Sequence, residues 1–108
     1  MKLAIVSSNS DVTIRRALGP DNAALISCFG CNASMFGKAS KFRQVLKQNG
    51  VAPPRAITIG DETRDIEASR KAKIACGAVG WGYATPALLR AHNPDYLFDA
   101  PADIAALI

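Results

Sequence analysis

Two aspartates stand four residues apart in the segment Ile57–Ile66, whose sequence is ITIGDETRDI. Asp61 follows an apolar run that predicts a buried strand, and Asp65 stands where a helix is predicted to begin. Gly60 lets the backbone turn sharply there without a side chain in the way. Both carboxylates can then face one point, and paired oxygen donors suit Mg²⁺, which takes its remaining ligands from water and a substrate phosphate. A capped helix with an acidic first turn explains the same pattern, and for an isolated pair it is the preferred interpretation.

A hydroxyl group and a lysine are the other candidates for chemistry. Ser7 ends the first apolar run, so its hydroxyl and the amides of Ser8 and Asn9 are candidates for binding a phosphate oxygen. Lys38 precedes a predicted helix and offers a positive charge to a phosphoryl group, and Lys41 is an alternative for that role. Taken alone, a serine at such a position is more often a helix cap, and such a lysine is more often a surface residue. Together with the two aspartates, Ser7 and Lys38 predict one anion-sized hollow.

Short apolar runs alternate with amphipathic stretches along the whole sequence. The apolar runs predict strands at 3–6, 24–28, 56–59, 74–79 and 96–98. Capping residues, glycine and proline bound predicted helices at 10–18, 40–48, 61–73, from 85 onward, and at 101–108, with a loop at 30–37. Apolar strands separated by helices are typical of a parallel sheet covered on both faces, so we expect a three-layer, Rossmann-like α/β fold. Ligands bind to such sheets at the carboxyl ends of the strands, where the candidate residues stand.

The composition limits the classes of protein to which the chain can belong. Its 108 residues allow one domain, and a hydrophobic fraction of 49% is typical of a folded chain. The net charge of +4 is spread along the sequence, so we expect no nucleic-acid partner. No apolar stretch reaches the roughly 20 residues of a membrane span, and none has the features of a signal peptide, so we expect no membrane partner. Three cysteines are an odd number without a disulfide framework, so we expect a cytoplasmic location.

Two further patterns are weaker. Cys28 and Cys31 have the spacing of redox and zinc sites, but a zinc site needs about four ligands, and packing or turn roles are favoured. The glycines of GAVGWG at 77–82 do not form a dinucleotide-binding pattern. Trp81 and Tyr83 are aromatic residues in a glycine-rich loop, where such side chains more often pack on a sheet edge than contact a substrate.

Taken together and in this order, the hydroxyl, the lysine and the Gly-Asp-x-x-x-Asp pattern on successive strand ends resemble three of the four motifs of the haloacid dehalogenase-like superfamily. The segment from MFGK at 35–38 through GWGY at 80–83, and NPDYLFD at 93–99, are similar to the C-terminal half of a phosphoglycolate-phosphatase-like member. The resemblance covers nearly the whole chain. It implies Mg²⁺-dependent hydrolysis of a phosphate monoester, with a small phosphorylated metabolite as substrate.

The resemblance also implies a role for each candidate residue. It makes Ser7 a phosphate-binding residue and Lys38 the residue that stabilises charge on the phosphoryl group. It places Asp61 and Asp65 around Mg²⁺, with Asp61 as the more direct ligand and Asp65 as the more variable one. Lys38 and the two aspartates are therefore the predicted catalytic residues of this chain.

The sequence departs from the family pattern at the nucleophile. In the family this is an aspartate of a D-x-D-x-[TV] motif on a strand that precedes everything seen here, and it forms an aspartyl-phosphate. No two aspartates of this chain are two positions apart, since they stand at 11, 21, 61, 65, 95, 99 and 103. The cap domain that follows the motif in the family is also missing. We therefore expect hydrolysis by this polypeptide alone to be absent or very slow.

The missing strand has a structural consequence. In the family's sheet it lies between the strand that ends at Ser7 and the strand that ends at Gly60, so its absence exposes two apolar edges. We expect either direct pairing of these two strands or completion by a partner chain, in a homodimer or with a complementing polypeptide. The alternative function is that of a non-catalytic, truncated member acting as a binding or dimerisation module.

Overall fold

The structure is a computed structural model that describes residues 1–31 and 37–107. The chain divides into two compact units, Met1–Ala52 and Pro53–Ile108. Part of the predicted loop, the first two residues of the MFGK segment and the last residue of the final predicted helix lie outside the described residues. That residues 1–108 form a single domain stays a prediction.

The first unit is built on two parallel strands. Its elements are β1 (Ala4–Val6), α1 (Asp11–Leu18), α2 (Pro20–Ala23), β2 (Cys28–Gly30) and α3 (Lys38–Asn49). β1 pairs with β2, and Ala4 lies opposite Cys28. α1 begins as predicted, because the Ser10 hydroxyl accepts a hydrogen bond from the Thr13 amide at 3.2 Å. α3 begins two residues earlier than predicted and ends at Gly50, whose φ of 65° is left-handed and favours glycine.

The position of β2 differs from the prediction, which placed this strand at 24–28. Pro20 begins α2 directly after Gly19, whose φ of 80° requires a residue without a side chain. Hydrogen-bonded turns continue beyond this short helix as far as the amide of Ile26, which donates to the carbonyl three residues before it. Extended backbone therefore starts only at Cys28.

The second unit is a three-stranded parallel sheet with helices between its strands. Its elements are a 3₁₀ turn (Pro53–Arg55), β3 (Ile57–Gly60), α4 (Thr63–Ala72), β4 (Ala75–Val79), α5 (Pro86–Ala91), β5 (Tyr96–Phe98) and α6 (Pro101–Leu107). The strand order is β3-β4-β5, with Ile57 opposite Ala75 and Gly77 opposite Tyr96. Each strand and helix predicted for this part of the sequence is present, with ends that differ by at most two residues.

The core of the second unit lies around its middle strand, β4. Ile66 of α4 and Leu89 of α5 are at most 1% exposed and belong to one cluster with Cys76 and Ala78 of β4. Burying a side chain of this size stabilises a fold by about 1.5–3 kcal/mol. The two helices are thereby fixed to the sheet, and the turns that precede them are held at the carboxyl ends of β3 and β4.

The strands form two separate sheets within the described residues, since β1 pairs only with β2 and the partner of β3 is β4. Direct pairing of β1 with β3, one of the two expected outcomes, is therefore not found there, and completion by a partner chain stays a prediction. Ile57 and Ile59, on the edge strand β3, are 37% and 45% exposed. The parallel strands that alternate with helices confirm the α/β fold class.

None of the described helices is both long enough and apolar enough to span a lipid bilayer.

Candidate active site

Asp61 lies directly after β3, at the carboxyl end of the strand, and is half-buried. The loop at 80–84, which follows β4, holds it from the other side. The Tyr83 amide donates to Asp61 Oδ2 at 3.1 Å, and the Ala84 amide donates to the Asp61 carbonyl at 3.1 Å. One carboxylate oxygen is therefore bound by the backbone. Within residues 1–31 and 37–107 no hydrogen bond to Oδ1 is found, so this oxygen is available to a cation or water.

Gly82 allows the loop to approach Asp61 this closely. A Cβ built on Gly82 would lie less than 3 Å from three side-chain atoms of Asp61, which is closer than real side chains pack. The sequence interpretation missed this contact because it weighed the glycines only as a nucleotide-binding pattern and Tyr83 only as an aromatic side chain. The Tyr83 side chain is 85% exposed and does not pack on the sheet, and Trp81 is 48% exposed. The backbone of the loop, not its aromatic rings, contacts the aspartate.

Asp65 is the third residue of α4 and is 6% exposed. Its Oδ2 accepts a hydrogen bond from the Glu62 amide at 3.1 Å, and the Glu62 side chain accepts from the Asp65 amide. The two residues form a capping box, so the capped-helix interpretation describes what Asp65 does in this structure. The cap also brings the Asp65 carboxylate against the peptide that follows Asp61. That the two carboxylates face one point stays a prediction.

Gly60 keeps a side chain out of the turn, as predicted. Its φ is not among the left-handed values of the described residues, so the turn itself does not require glycine. A Cβ on Gly60 would instead overlap the carboxylate of Asp65. Glycine is needed here because Asp65 packs on the strand backbone.

A buried chain of hydroxyl groups fixes the first turn of α4 to the sheet. Ser69 is fully buried, and its hydroxyl donates to the Asp65 carbonyl at 2.6 Å. Its oxygen also shares a hydrogen bond of 2.5 Å with the hydroxyl of Thr58 on β3. These contacts fix the backbone from which the Asp65 carboxylate extends.

Ser7 lies one residue after β1, at the carboxyl end of the strand, as predicted. Its amide donates to the Gly30 carbonyl at 3.1 Å and extends the pairing with β2. Its hydroxyl accepts from the Asn9 amide at 3.1 Å, so one of the amides predicted to bind phosphate has a local partner. The cap of α1 is Ser10, not Ser7. Because the Ser7 hydroxyl acts as the acceptor in its hydrogen bond with Asn9, its proton can still be donated to an anion. Ser8, the other predicted phosphate-binding residue, is exposed.

The two candidate lysines both lie in the first turn of α3. Lys38 is its first residue and is half-buried. The stem of Lys41 packs on the end of β2, since a Cβ on Gly30 would lie 3.1 Å from Lys41 Cγ. Which of the two serves the site stays open. That Ser7, Lys38 and the two aspartates line a single hollow also stays a prediction.

The cysteine pair does not have the geometry of a redox centre. All three cysteines are free thiols. Cys28 begins β2 and Cys31 follows its end, and extended backbone at about 3.3 Å per residue separates their Cα atoms by about 10 Å, beyond the roughly 7 Å that a disulfide spans. Burial raises the pKa of the Cys31 thiol, and the charge of Asp11 adds to this, whereas a reactive cysteine needs a lowered pKa. These observations favour the packing role.

The sequence pattern of one protein family, described as "Haloacid dehalogenase-like hydrolase", matches residues 1–79. The chain belongs to this family. The matched residues include both strand ends that carry candidate groups, at Ser7 and at Asp61. The predicted family is therefore confirmed.

Curated relatives of this haloacid dehalogenase-like chain are phosphatases. The phosphoglycolate phosphatase of Synechococcus elongatus is 33% identical over 103 residues, which are 94% of this chain and 49% of that protein. The N-acetylmuramic acid 6-phosphate phosphatase of Pseudomonas aeruginosa is 40% identical over 58 residues, 53% of this chain and 26% of that protein. This chain thus spans at most about half the length of these two relatives.

Solved structures agree with the family assignment. A haloacid dehalogenase-like hydrolase from Streptococcus pneumoniae matches with a TM-score of 0.84 and 25% identity, over 98% of this chain and 51% of that one. A predicted phosphoglycolate phosphatase from Haemophilus somnus matches with a TM-score of 0.81 and 26% identity, over 98% of this chain and 49% of that one. The Rossmann-like fold class of the family is thereby confirmed.

The donors that this haloacid dehalogenase-like chain offers fit the Mg²⁺ that the family resemblance implies. Asp61 and Asp65 provide carboxylate oxygens, the ligands that Mg²⁺ prefers. The described ranges contain no group of three or more His, Cys, Asp or Glu side chains placed to hold a metal ion. The chain therefore offers two carboxylates rather than a closed cage, and Mg²⁺ commonly binds through one or two carboxylates, water and a substrate phosphate.

Proposed function

We propose that this chain supplies the phosphate-binding and metal-binding residues of a Mg²⁺-dependent phosphatase that hydrolyses a small phosphorylated metabolite in the cytoplasm. The observation that carries the proposal is the fixed carboxylate of Asp61 at the carboxyl end of β3, with one oxygen held by the Tyr83 amide. A carboxylate in this position of an α/β sheet is placed where such folds bind their ligands. Three free thiols suit the reducing cytoplasm.

The phosphoryl group is bound, in this proposal, by the strand end after β1 and by the start of α3. The Ser7 hydroxyl and the Ser8 amide donate hydrogen bonds to phosphate oxygens, and Asn9 holds the Ser7 hydroxyl in place through its amide. The ammonium group of Lys38 neutralises negative charge that develops during transfer, a contribution that is large when the charge is held in position beforehand.

Asp61 and Asp65 are the proposed holders of the metal. Mg²⁺, when bound, polarises the phosphoryl group and offsets its negative charge. Asp61 contributes the oxygen that the loop at 80–84 leaves unengaged, which makes it the more direct ligand. Asp65 Oδ2 accepts the Glu62 amide, and the two oxygens of a carboxylate together offer about four acceptor sites, so its capping role does not prevent a contact with the cation.

The nucleophile of the proposed reaction comes from residues outside these 108. An aspartate attacks phosphorus, its carboxylate oxygen forms the new P–O bond, and the alcohol of the substrate leaves with a proton from an acid. The chain alone binds the phosphoryl group without cleaving it. We therefore expect no phosphate release when the pure chain is incubated with p-nitrophenyl phosphate and Mg²⁺.

A phosphate titration tests the binding residues directly. Inorganic phosphate added to the ¹⁵N-labelled chain with Mg²⁺ is expected to shift the amide signals of Ser7 and Ser8. Lys38→Ala should weaken this binding and Lys41→Ala should not, which makes the second lysine the matched control. Loss of binding in Lys41→Ala alone would assign the role to Lys41, and turnover by the pure chain that Asp61→Asn abolishes would refute the need for an outside nucleophile.

The second candidate function is a non-catalytic binding or dimerisation module. The observation that favours it is the exposure of Ile57 and Ile59 on the edge strand β3, because exposed apolar strand edges pair with other chains. Sedimentation equilibrium of the wild-type chain and of an Ile57→Lys, Ile59→Lys double variant tests it. This candidate predicts a dimer that the double variant loses, and a monomeric wild type would contradict it.

A further inference from the structure

We infer that the loop at 80–84 is a positioning element for Asp61, with Gly82 and the Tyr83 amide as its essential parts. The inference deepens the proposed function and rests on it, since it assigns the loop the task of orienting the carboxylate toward the cation. None of the residues in this loop is itself a proposed ligand.

The loop holds Asp61 at three points. The Tyr83 amide binds one carboxylate oxygen, and the Ala84 amide binds the carbonyl of the same residue, each at 3.1 Å. Gly82 packs its backbone against the Asp61 side chain so closely that a Cβ has no room. The hydrogen bond to Oδ2 and the close approach of Gly82 restrict the orientation of the carboxylate, and the bond to the carbonyl fixes the backbone from which it extends.

The loop is itself fixed independently of Asp61. At its start, the Gly80 amide donates to the Phe98 carbonyl of β5 at 2.9 Å. At its end, Ala84 is 8% exposed and belongs to the core cluster, and Thr85 caps α5. The backbone amide at 83 is thus anchored on both sides by the sheet and the core, so it can impose an orientation on the aspartate rather than follow it.

Fixing the orientation of a ligand before the metal arrives strengthens binding. The carboxylate does not have to give up rotational freedom when the cation binds, and its unengaged oxygen already points away from the loop amide. Loss of an outer partner that orients a metal ligand typically lowers metal affinity by roughly 10–100-fold. The loop is expected to contribute an effect of this size.

Two glycine variants in the same loop separate positioning from general damage. In Gly82→Ala the new methyl group would overlap the Asp61 side chain, whereas in Gly80→Ala the nearest atoms would be at an ordinary 3.5 Å. Mn²⁺ serves as the probe, because its paramagnetic broadening of amide signals reports weak binding near Asp61. We expect the Mn²⁺ dissociation constant to rise roughly 10–100-fold in Gly82→Ala and to stay within about twofold of wild type in Gly80→Ala.

Hydrogen exchange at the Tyr83 amide provides a readout that does not depend on the metal. Its exchange should be slow in the wild type and faster in Gly82→Ala and in Asp61→Ala. Asp61→Asn should keep the slow exchange, because its amide oxygen still accepts the hydrogen bond, and should lose Mn²⁺ binding. This conservative variant distinguishes orientation of the side chain from simple loss of structure.

The outcomes separate the inference from the proposed function. Fast exchange at Tyr83 in the wild type, or unchanged exchange in Asp61→Ala, would overturn the positioning role whatever the metal does. Unchanged Mn²⁺ affinity in Gly82→Ala would overturn it as well. If Mn²⁺ binds to no variant while the exchange pattern is as expected, the loop still orients Asp61, and the metal assignment in the proposed function is the part that fails.

Discussion

Gly60→Ala is expected to be among the most destabilising small substitutions in the second unit. The added methyl group would lie less than 3 Å from Oδ2, Cγ and Cβ of Asp65. Asp65 is 6% exposed, so its side chain has little room to move aside. The substitution therefore forces a shift of α4 against β3 and also breaks the hydrogen bond from the Glu62 amide to Asp65.

The size of the effect follows from these two costs. Overpacking of a filled site costs about 1–3 kcal/mol, and a lost hydrogen bond to a charged group costs about 1.5–3 kcal/mol. The lower ends of these two costs apply together, and the reduced conformational entropy of the unfolded alanine variant offsets about 0.4–1 kcal/mol of them. We therefore expect the free energy of unfolding to fall by about 1.5–2 kcal/mol, and the melting temperature to fall by roughly 6–16 °C.

Urea unfolding followed by circular dichroism measures this change, with Gly80→Ala as the control. The control alanine meets its nearest neighbours at 3.5 Å and should change the free energy of unfolding by less than about 1 kcal/mol. In an Asp65→Ala background two of the three overlapping atoms are gone, so the cost of Gly60→Ala should fall by at least half. An equal cost in both backgrounds would refute the explanation by contact with Asp65.

Three further predictions concern residues around this unit. Ser69→Ala should lower the free energy of unfolding by about 1–3 kcal/mol, because it removes the buried hydroxyl that links Thr58 to the Asp65 carbonyl. Urea unfolding measures this change, and an unchanged free energy of unfolding would contradict the role of the hydroxyl. Asp95→Ala should lower the free energy of unfolding by a similar amount, since Asp95 Oδ2 accepts a hydrogen bond from the Cys76 amide at 2.7 Å at the edge of the β4–β5 pairing. Asp95→Asn keeps an acceptor oxygen and should recover much of the lost stability. Burial raises the pKa of the Cys76 thiol, although hydrogen bonds from Thr58 and Ser69 act in the opposite direction. In alkaline solution the folded state therefore keeps the thiol proton at a pH where the unfolded state has lost it. The contribution of this thiol to the free energy of unfolding is complete below about pH 8.5 and declines as the pH rises further. The midpoint of urea unfolding should show this alkaline decline in the wild type and a smaller decline in Cys76→Ala.

Local sequence signals predict the second unit well because its elements are bounded by strong capping groups. Thr85 followed by proline marks the start of α5, and the Thr85 hydroxyl accepts a hydrogen bond from the Leu88 amide at 3.3 Å. The strand β4 is a continuous apolar run because helices bury it. The sequence fails at β2, where proline directly after a glycine begins an extra helical turn and moves the strand toward the carboxyl end.

The contacts that organise the candidate site are only partly readable from sequence. The spacing of Asp61 and Asp65 predicts that the two carboxylates are close, because a strand end and the first turn of a helix fix their separation. The approach of Gly82 and the Tyr83 amide to Asp61 spans more than 20 residues of chain, and no local pattern encodes it. The capped helix with an acidic first turn, the alternative to metal binding, is present at the start of α4. Metal binding by Asp65 stays a prediction.

The central claim is that this chain carries the phosphate- and metal-binding half of a phosphatase. A chimera tests it most directly, in which the part of the Synechococcus elongatus phosphoglycolate phosphatase that precedes the matched region is joined to this chain. The measurement is the release of phosphate from p-nitrophenyl phosphate with and without Mg²⁺. We predict that the folded chimera releases phosphate only with Mg²⁺ and that Asp61→Asn abolishes the release. A folded chimera without activity, or a chimera that stays equally active with Asp61→Asn, would contradict the claim.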